Sequence, residues 1–142
     1  MTVRVERTIE LSASPEDVWD FIADPEQRAS AISVITEFER TGEHTEVWHV
    51  RLPLPLVDRT VTIETKETDF DPPHFVQFVG RSSALRVIGT HEVEPTEDGA
   101  RLTNRFTVEG KLPGVERFFE RNLDAELDNL EQALRDNLGL HA

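Results

Sequence analysis

The sequence predicts a single α+β domain in which a bent antiparallel sheet of seven strands is covered by a long C-terminal helix. Three observations support this prediction. Residues 34–109 alternate between apolar and polar side chains with only short interruptions. The tail after Pro113 instead repeats large apolar residues at helical spacing. A chain of 142 residues is also long enough to bury roughly 70% of its unfolded surface in one core.

The opening residues predict a strand followed by a helix. Residues 3–11 alternate and place their apolar side chains on one face, which is typical of a half-buried strand. Ser14 then provides a helix N-cap, Pro15 suits the first helical position, and Asp17 completes a capping box. The pair Asp24-Pro25 ends this helix.

A second short helix and six strands fill the middle of the chain. The helix is expected to end near Ile32, and Asp98-Gly99 is the strongest hairpin signal among the strands that follow. The predicted strands are 34–40, 46–52, 57–67, 75–80, 84–94 and 100–109. Because their connections are short, we expect antiparallel hairpins.

The tail predicts one long amphipathic helix that can cover the sheet. Its apolar stripe consists of Phe119, Leu123, Leu127, Leu130 and Leu134. The helix is expected to run to Leu138, with Gly139 as its stop signal. The predicted element order is therefore β-α-α-β6-α.

Composition restricts the possible functions. The 28 Asp plus Glu residues outnumber 15 Lys plus Arg, which gives a formal net charge of -13. Such a surface repels a phosphate backbone, so we do not expect nucleic-acid binding. Acidic residues with few lysines also resemble the surfaces of proteins from salt-loving organisms. The absence of cysteine excludes disulfides and thiolate chemistry, and the five scattered histidines predict no metal site.

The chain lacks an apolar leader and has no run of about 18 apolar residues. We therefore expect a soluble, cytoplasmic protein without stable membrane insertion. We expect no cofactor, and a monomer or weak homodimer.

Several stretches resemble the polyketide cyclase/dehydrase and lipid-transport superfamily, also called SRPBCC or START-like. They are the opening V-E-R-T-I-E-L-S-A-S-P-E-D-V-W-D-F-I-A-D-P-E, the middle T-D-F-D-P-P-H-F-V-Q-F, the hairpin D-G-A-R-L-T-N-R-F-T-V-E-G, and the tail from Leu112. The stretches A-D-P-E-Q-R-A-S-A-I and G-K-L-P-G-V resemble its branch of G-type carbon monoxide dehydrogenase subunits. The resemblance covers residues 1–142 and implies one helix-grip domain with a deep apolar cavity under the C-terminal helix. Members bind lipids, sterols, hormones, quinones or polyketides, and a minority are enzymes that share no catalytic signature.

The stretch R-L-P-L-P-L-V-D-R, residues 51–59, is unusually apolar for an acidic chain. Its two prolines cannot donate ladder hydrogen bonds, so we expect it to break the pairing between two strands. In a helix-grip fold such a connection can lie beside the cavity opening, where Leu54 and Leu56 would form an apolar lip.

The candidate binding residues are polar or aromatic side chains that share a strand face with apolar ones, or that lie on or beside the helical stripe. Burying such polar groups costs free energy unless they are paired. The cavity candidates are Trp48, Leu54, Leu56, Arg59, Gln77, Arg81, His91, Asn104, Phe106, Phe119, Asn122 and Leu123. In one interpretation an arginine grips a carboxylate or phosphate head while His91 or Asn104 orients the ligand. In the other, the arginines, with Arg7 among them, form ordinary salt bridges, His91 is a satisfied core residue, and Asn122 and Glu126 are a solvated helix flank.

Three function classes follow from these observations. The leading one is non-enzymatic binding or carriage of a small hydrophobic ligand, such as a lipid, isoprenoid, quinone or polyketide-like molecule. The second is a cyclase, dehydratase or hydrolase of a hydrophobic substrate, with His91 as general acid-base and Arg59 or Arg81 polarising a carbonyl. The third is an accessory protein for the maturation of an oxidoreductase.

Overall fold

The computed structural model describes residues 2–54 and 57–140, apart from the side chains of residues 53–59. It confirms the predicted element order. The elements are β1 (Thr2–Leu11), α1 (Pro15–Ile22), α2 (Pro25–Ala31), β2 (Ile35–Arg40), β3 (Thr45–Leu54), β4 (Val57–Asp71), β5 (Phe75–Arg81), β6 (Leu85–Thr96), β7 (Gly99–Gly110) and α3 (Val115–Asn137).

The strands form one antiparallel sheet with the order β1-β7-β6-β5-β4-β3-β2. Strands β2 to β7 are a meander, and β1 pairs with β7 from Thr2–Glu109 to Leu11–Ala100. Register shifts lie in the β2–β3 pair and, between Glu67 and Asp69, in the β4–β5 pair. Such bulges bend and twist a strand, which helps the sheet to curve around α3.

Local capping sets the two short helices as predicted. The Ser14 Oγ accepts a hydrogen bond from the Asp17 N–H at 3.2 Å, and an Asp24 carboxylate oxygen accepts one from the Glu26 N–H at 2.9 Å. Each cap satisfies a backbone donor that the first helical turn leaves unpaired. The two short helices therefore follow directly from the sequence.

The predicted break in pairing at Pro53 is wrong. The β3–β4 ladder continues to the pair Leu54–Val57. The Arg51 N–H donates to the Val34 carbonyl oxygen on the β2 side, so the nitrogen of Pro53 lies on that same side. Because β2 offers no paired strand there, a missing N–H does not interrupt the ladder with β4.

Helix α3 packs its predicted stripe against the concave face of the sheet. Leu123, Leu127, Leu130 and Leu134 are buried, and Phe119 is half-buried near the start of the helix. The helix ends at Asn137, and Gly139 adopts a φ of 72°, the left-handed conformation that glycine favours after a helix. The hydrophobic core therefore lies between this helix and the inward side chains of the strands.

Candidate functional site

A cavity of about 70 Å³ lies between the concave face of the sheet and α3. Its walls come from α2, the α2–β2 connection, strands β2 to β7 and α3, and they are mainly apolar, as at Val50, Ile63 and Val87. A dry engineered cavity that binds benzene measures about 150 Å³. A ligand of lipid or polyketide size therefore requires the wall side chains to move apart.

Phe78 lies at the centre of the polar part of this cavity. Its ring centroid is 5.3 Å from that of Trp48 and 6.2 Å from that of His91, and the Arg28 Cζ lies 5.4 Å from it. Gly89 makes this ring position possible, because a Cβ added there would overlap the Phe78 ring. The ring thus brings an indole, an imidazole and a guanidinium together.

Arg28 is a buried cation in the cavity wall. Its side chain is 5% exposed, its Nη1 donates to the Ile22 carbonyl oxygen at 2.7 Å, and its Nη2 lies 3.5 Å from the Glu67 Oε1. Its Nε and Nη2 make no hydrogen bond to any residue that the structure describes. Burial lowers the pKa of Arg28, an effect that Glu67 and Glu46 oppose. Two N–H groups of a charged donor are therefore available to a molecule in the cavity.

Two buried carboxyl groups lie beside this guanidinium. Glu67 pairs with Arg28, and its Oε2 lies 3.2 Å from the His44 Nδ1. The Glu46 Oε1 accepts a hydrogen bond from the Thr65 hydroxyl at 3.3 Å. Burial raises the pKa of Glu46, while the charge of Arg28 lowers it. The positive charge of Arg28 is thus already compensated inside the protein.

His91 is fully buried and lines the cavity. Its Nδ1 lies 2.7 Å from the Asn104 Oδ1, and since an amide oxygen can only accept, the Nδ1 carries the proton. Its Nε2 has no hydrogen-bond partner within the described part of the chain. Burial lowers the pKa of His91 to about 3, with Arg28 lowering it further. The imidazole is therefore neutral at physiological pH, and its Nε2 is a free acceptor.

Glu126 of α3 closes the cavity on another side. Its Oε2 accepts a hydrogen bond from the Ser33 N–H at 2.7 Å, and its Oε1 accepts a short one from the Ser33 hydroxyl. The residue is buried and lines the cavity, rather than forming a solvated flank of the helix. These two bonds join α3 to the α2–β2 connection and place a carboxylate in the cavity wall.

The structure brings part of the predicted candidate set together. The candidates that line the cavity are Trp48, His91, Phe106, Phe119 and Leu123. Asn104 is buried behind His91 and orients its ring. Asn122 donates to the Phe118 carbonyl oxygen of its own helix at 2.8 Å, outside the cavity wall.

Gln77 and Arg81 lie on the opposite face of the sheet. They share the parity of Phe75 as expected, but the residues of β5 that point inward are Val76 and Phe78. The Gln77 Nε2 donates to the Thr68 hydroxyl at 3.0 Å on that outer side. The alternation of β5 therefore separates both residues from the cavity.

The candidates of the Leu-Pro-Leu-Pro stretch lie outside the described side chains. The structure gives no side-chain position for Leu54 and Arg59, and Leu56 falls in the gap at residues 55–56. The backbone register pairs Arg59 with Leu52. The apolar lip and the gripping role of Arg59 stay predictions.

Arg7 fits the salt-bridge interpretation. Its Nη2 lies 3.4 Å from the Asp124 Oδ1, and its Nη1 donates to Asp128 through a short hydrogen bond. Both carboxylates are on α3, so this arginine ties β1 to the helix outside the cavity wall.

Sequence reasoning missed Arg28, Glu46 and Glu67, although their spacing contains a signal. Arg28 follows Pro25 by three residues on the buried face of α2. Glu46 has the parity of the buried Trp48, as Glu67 has that of the buried residues of β4. Their charge suggested exposure, but mutual pairing makes burial possible.

Two further searches concern metal ions and membranes. Across residues 2–54 and 57–140, excluding the side chains of residues 53–59, no group of three or more His, Asp or Glu residues could hold a metal ion. None of the helices in the described ranges is long and apolar enough to cross a bilayer.

Comparison with known proteins places this cavity in a family context. The family described as polyketide cyclase / dehydrase and lipid transport matches residues 2–135, whereas no curated protein sequence matches the chain. A conserved protein from Geobacillus kaustophilus aligns with a TM-score of 0.76 at 19% identity, over 96% of this chain and 95% of that one. The Zhui aromatase/cyclase from Streptomyces sp. R1128 aligns with a TM-score of 0.64 at 18% identity, over 95% of both chains. A Thermus thermophilus protein aligns with a TM-score of 0.67 at 20% identity, over 100% of both chains. These structures share the fold, and the family match shows that the chain belongs to the polyketide cyclase/dehydrase and lipid-transport family.

Proposed function

We propose that the protein binds a small hydrophobic molecule in the cavity between its sheet and α3. The observation that supports this most directly is an apolar cavity whose wall also carries unpartnered polar atoms of Arg28 and His91. Such a combination is typical of ligand sites, in which apolar walls provide affinity and a few polar groups fix orientation. The candidate ligands are lipids, isoprenoids, quinones and polyketide-like molecules.

A series of alkylbenzenes from toluene to octylbenzene tests this proposal. Each buried methylene contributes about 0.8 kcal/mol, so affinity should rise with chain length until the walls can open no further. Isothermal titration calorimetry gives the affinities, and the Trp48 indole N–H resonance reports binding in the cavity. Absence of saturable binding across the series to folded protein would refute the proposal.

A pair of substitutions locates the binding. Val87 lines the cavity, whereas Val79 lies on the outer face of the sheet. Val87→Phe fills the cavity and should abolish binding of the longer alkylbenzenes. Val79→Phe adds the same volume outside and should leave their affinity unchanged.

A cyclase or dehydratase is the second candidate function. The observation that favours it is that a neutral imidazole and a buried guanidinium line the same cavity. Arg28, rather than Arg59 or Arg81, would then polarise a substrate carbonyl while the His91 Nε2 accepts a proton from the adjacent carbon. A histidine with a pKa of about 3 is a weak base, so the binding function is favoured.

Exchange of the α-protons of 2-tetralone in D2O separates the two functions. An enzyme that enolises ketones accelerates this exchange, and NMR measures its rate. Acceleration by the wild-type protein that disappears in His91→Leu would support the second candidate. Exchange at the buffer rate supports binding alone.

The finer expectations from sequence remain part of this proposal. They are a cytoplasmic location, a monomer or weak homodimer, and membership of the branch of G-type carbon monoxide dehydrogenase subunits with an accessory role in oxidoreductase maturation. Light scattering after size-exclusion chromatography measures the oligomeric state. Recovery of an oxidoreductase with the protein from its own host would support the accessory role.

A further inference from the structure

The polar atoms in the cavity wall include both donors and an acceptor. Arg28 offers its Nε and Nη2, Trp48 offers its Nε1, and none of these donors has a hydrogen-bond partner in the described part of the chain. The His91 Nε2 is the unpartnered acceptor. A ligand group that uses both kinds must donate one hydrogen bond and accept at least one.

The buried charges oppose an anionic ligand. Arg28 is the cation of the wall, and Glu67 already lies 3.5 Å from its Nη2. Glu46 is buried beside them, and Glu126 places a further carboxyl group in the wall. A carboxylate ligand would compete with Glu67, would lie near Glu126, and could not donate to His91.

From these two observations we infer that the cavity selects a hydrophobic ligand with a neutral hydroxyl group, a phenol, enol or alcohol, over one with a carboxylate. A hydroxyl donates one hydrogen bond to the His91 Nε2 and accepts from Arg28 or Trp48. A ketone would leave the His91 Nε2 unpaired, and a hydrocarbon would leave every one of these groups unpaired, which costs free energy in a buried site. This inference rests on the proposed binding function and replaces the expected grip on a carboxylate or phosphate head.

Four single-ring probes test the selection on the full chain at neutral pH, namely toluene, phenol, acetophenone and benzoate. Phenol and toluene match in size, as do benzoate and acetophenone. NMR titration of the Trp48 indole N–H measures each affinity. We expect phenol to bind about tenfold more tightly than toluene, because it gains a hydrogen bond to a charged donor and one to His91. Benzoate should bind more weakly than acetophenone.

Two glutamates of α3 provide a matched pair of variants. Glu126→Gln removes a carboxylate from the cavity wall, and Glu120→Gln removes an exposed one from the same helix. Benzoate affinity should rise about tenfold in the first variant and stay unchanged in the second. If Glu126→Gln fails to fold, the variant His91→Leu/Asn104→Leu tests the acceptor without leaving the amide unpaired. In that variant the preference for phenol over acetophenone should disappear.

The outcomes separate this inference from the function on which it rests. Equal affinities for phenol and toluene, or a tighter affinity for benzoate than for acetophenone, would overturn the selection while preserving the binding function. Absence of binding by all four probes and by the alkylbenzenes would overturn both.

Discussion

At the residue scale, the protein keeps an ion pair where solvent hardly reaches. The side chains of Arg28 and Glu67 are 5% and 4% exposed. Desolvation of two charges costs several kcal/mol, which their attraction repays only when both partners are present. Removing one partner therefore has a larger effect than removing an exposed charge.

Glu67→Gln should lower the free energy of unfolding by about 3–5 kcal/mol, because it leaves the Arg28 charge buried without its partner. The control is Glu64→Gln, which changes an exposed carboxylate on the same strand. Urea denaturation followed by circular dichroism measures both. If Glu67→Gln is no more destabilising than Glu64→Gln, the ion pair does not stabilise the fold.

His91 should make stability depend on pH. Its pKa of about 3 in the folded protein lies below the usual 6.5, so the unfolded chain binds a proton that the folded protein does not. Its contribution is complete above pH 6.5 and is lost as the pH falls from 6.5 towards 3. The expected slope approaches about 1.4 kcal/mol per pH unit. Urea midpoints across this range should show it, and the His91→Leu/Asn104→Leu variant should show a flatter dependence.

At the element scale, α3 has buried leucines with two different surroundings. Leu123 lines the cavity, whereas Leu134 is packed with α1, β6 and β7 and does not line it. Deleting a fully packed side chain removes contacts on every side, while deleting a cavity wall enlarges a space that already exists.

Leu134→Ala should cost about 2–5 kcal/mol of unfolding free energy, and Leu123→Ala should cost less. Leu123→Ala should also bind longer alkylbenzenes more tightly, because the larger cavity admits them with less displacement of its walls. Chemical denaturation and calorimetry measure the two effects. Equal costs with unchanged ligand preference would show that the wall at Leu123 does not limit the cavity.

Sequence patterns predicted the elements better than the polar site. Alternation, the Ser14 cap and the leucine spacing each depend on residues close in the chain, and the structure confirms them. The burial of Arg28 depends instead on Glu67, which lies on a distant strand. No local pattern states that two charges meet. The extension of β3 through Pro53 likewise depends on which neighbour lies beside it.

At the scale of the whole molecule, negative charge dominates the surface. Exposed arginines of β7 pair with glutamates of the neighbouring strands, as Arg101 does with Glu10 at 2.6 Å and with Glu94 at 3.7 Å. A hydrogen bond to Glu94 raises the pKa of Glu92, which indicates crowded carboxylates. Exposed pairs of this kind stabilise a protein little, so a net charge of -13 leaves repulsion largely uncompensated.

The melting temperature should therefore rise between about 0.1 M and 2 M KCl, because salt screens repulsion among exposed carboxylates. Thermal denaturation followed by circular dichroism measures this. Equal concentrations of a neutral osmolyte provide the control for effects other than screening. A flat salt curve would identify an ordinary acidic protein without adaptation to high salt.

The pairing of β1 with β7 also affects how the protein is made. Strands β2 to β7 each pair with the next strand along the chain, so this meander can form progressively as a ribosome synthesises it. Thr2 must instead wait for Glu109. The amino-terminal strand therefore leaves the exit tunnel first and gains its partner almost last. During synthesis its unpaired edge is the segment most in need of chaperone protection.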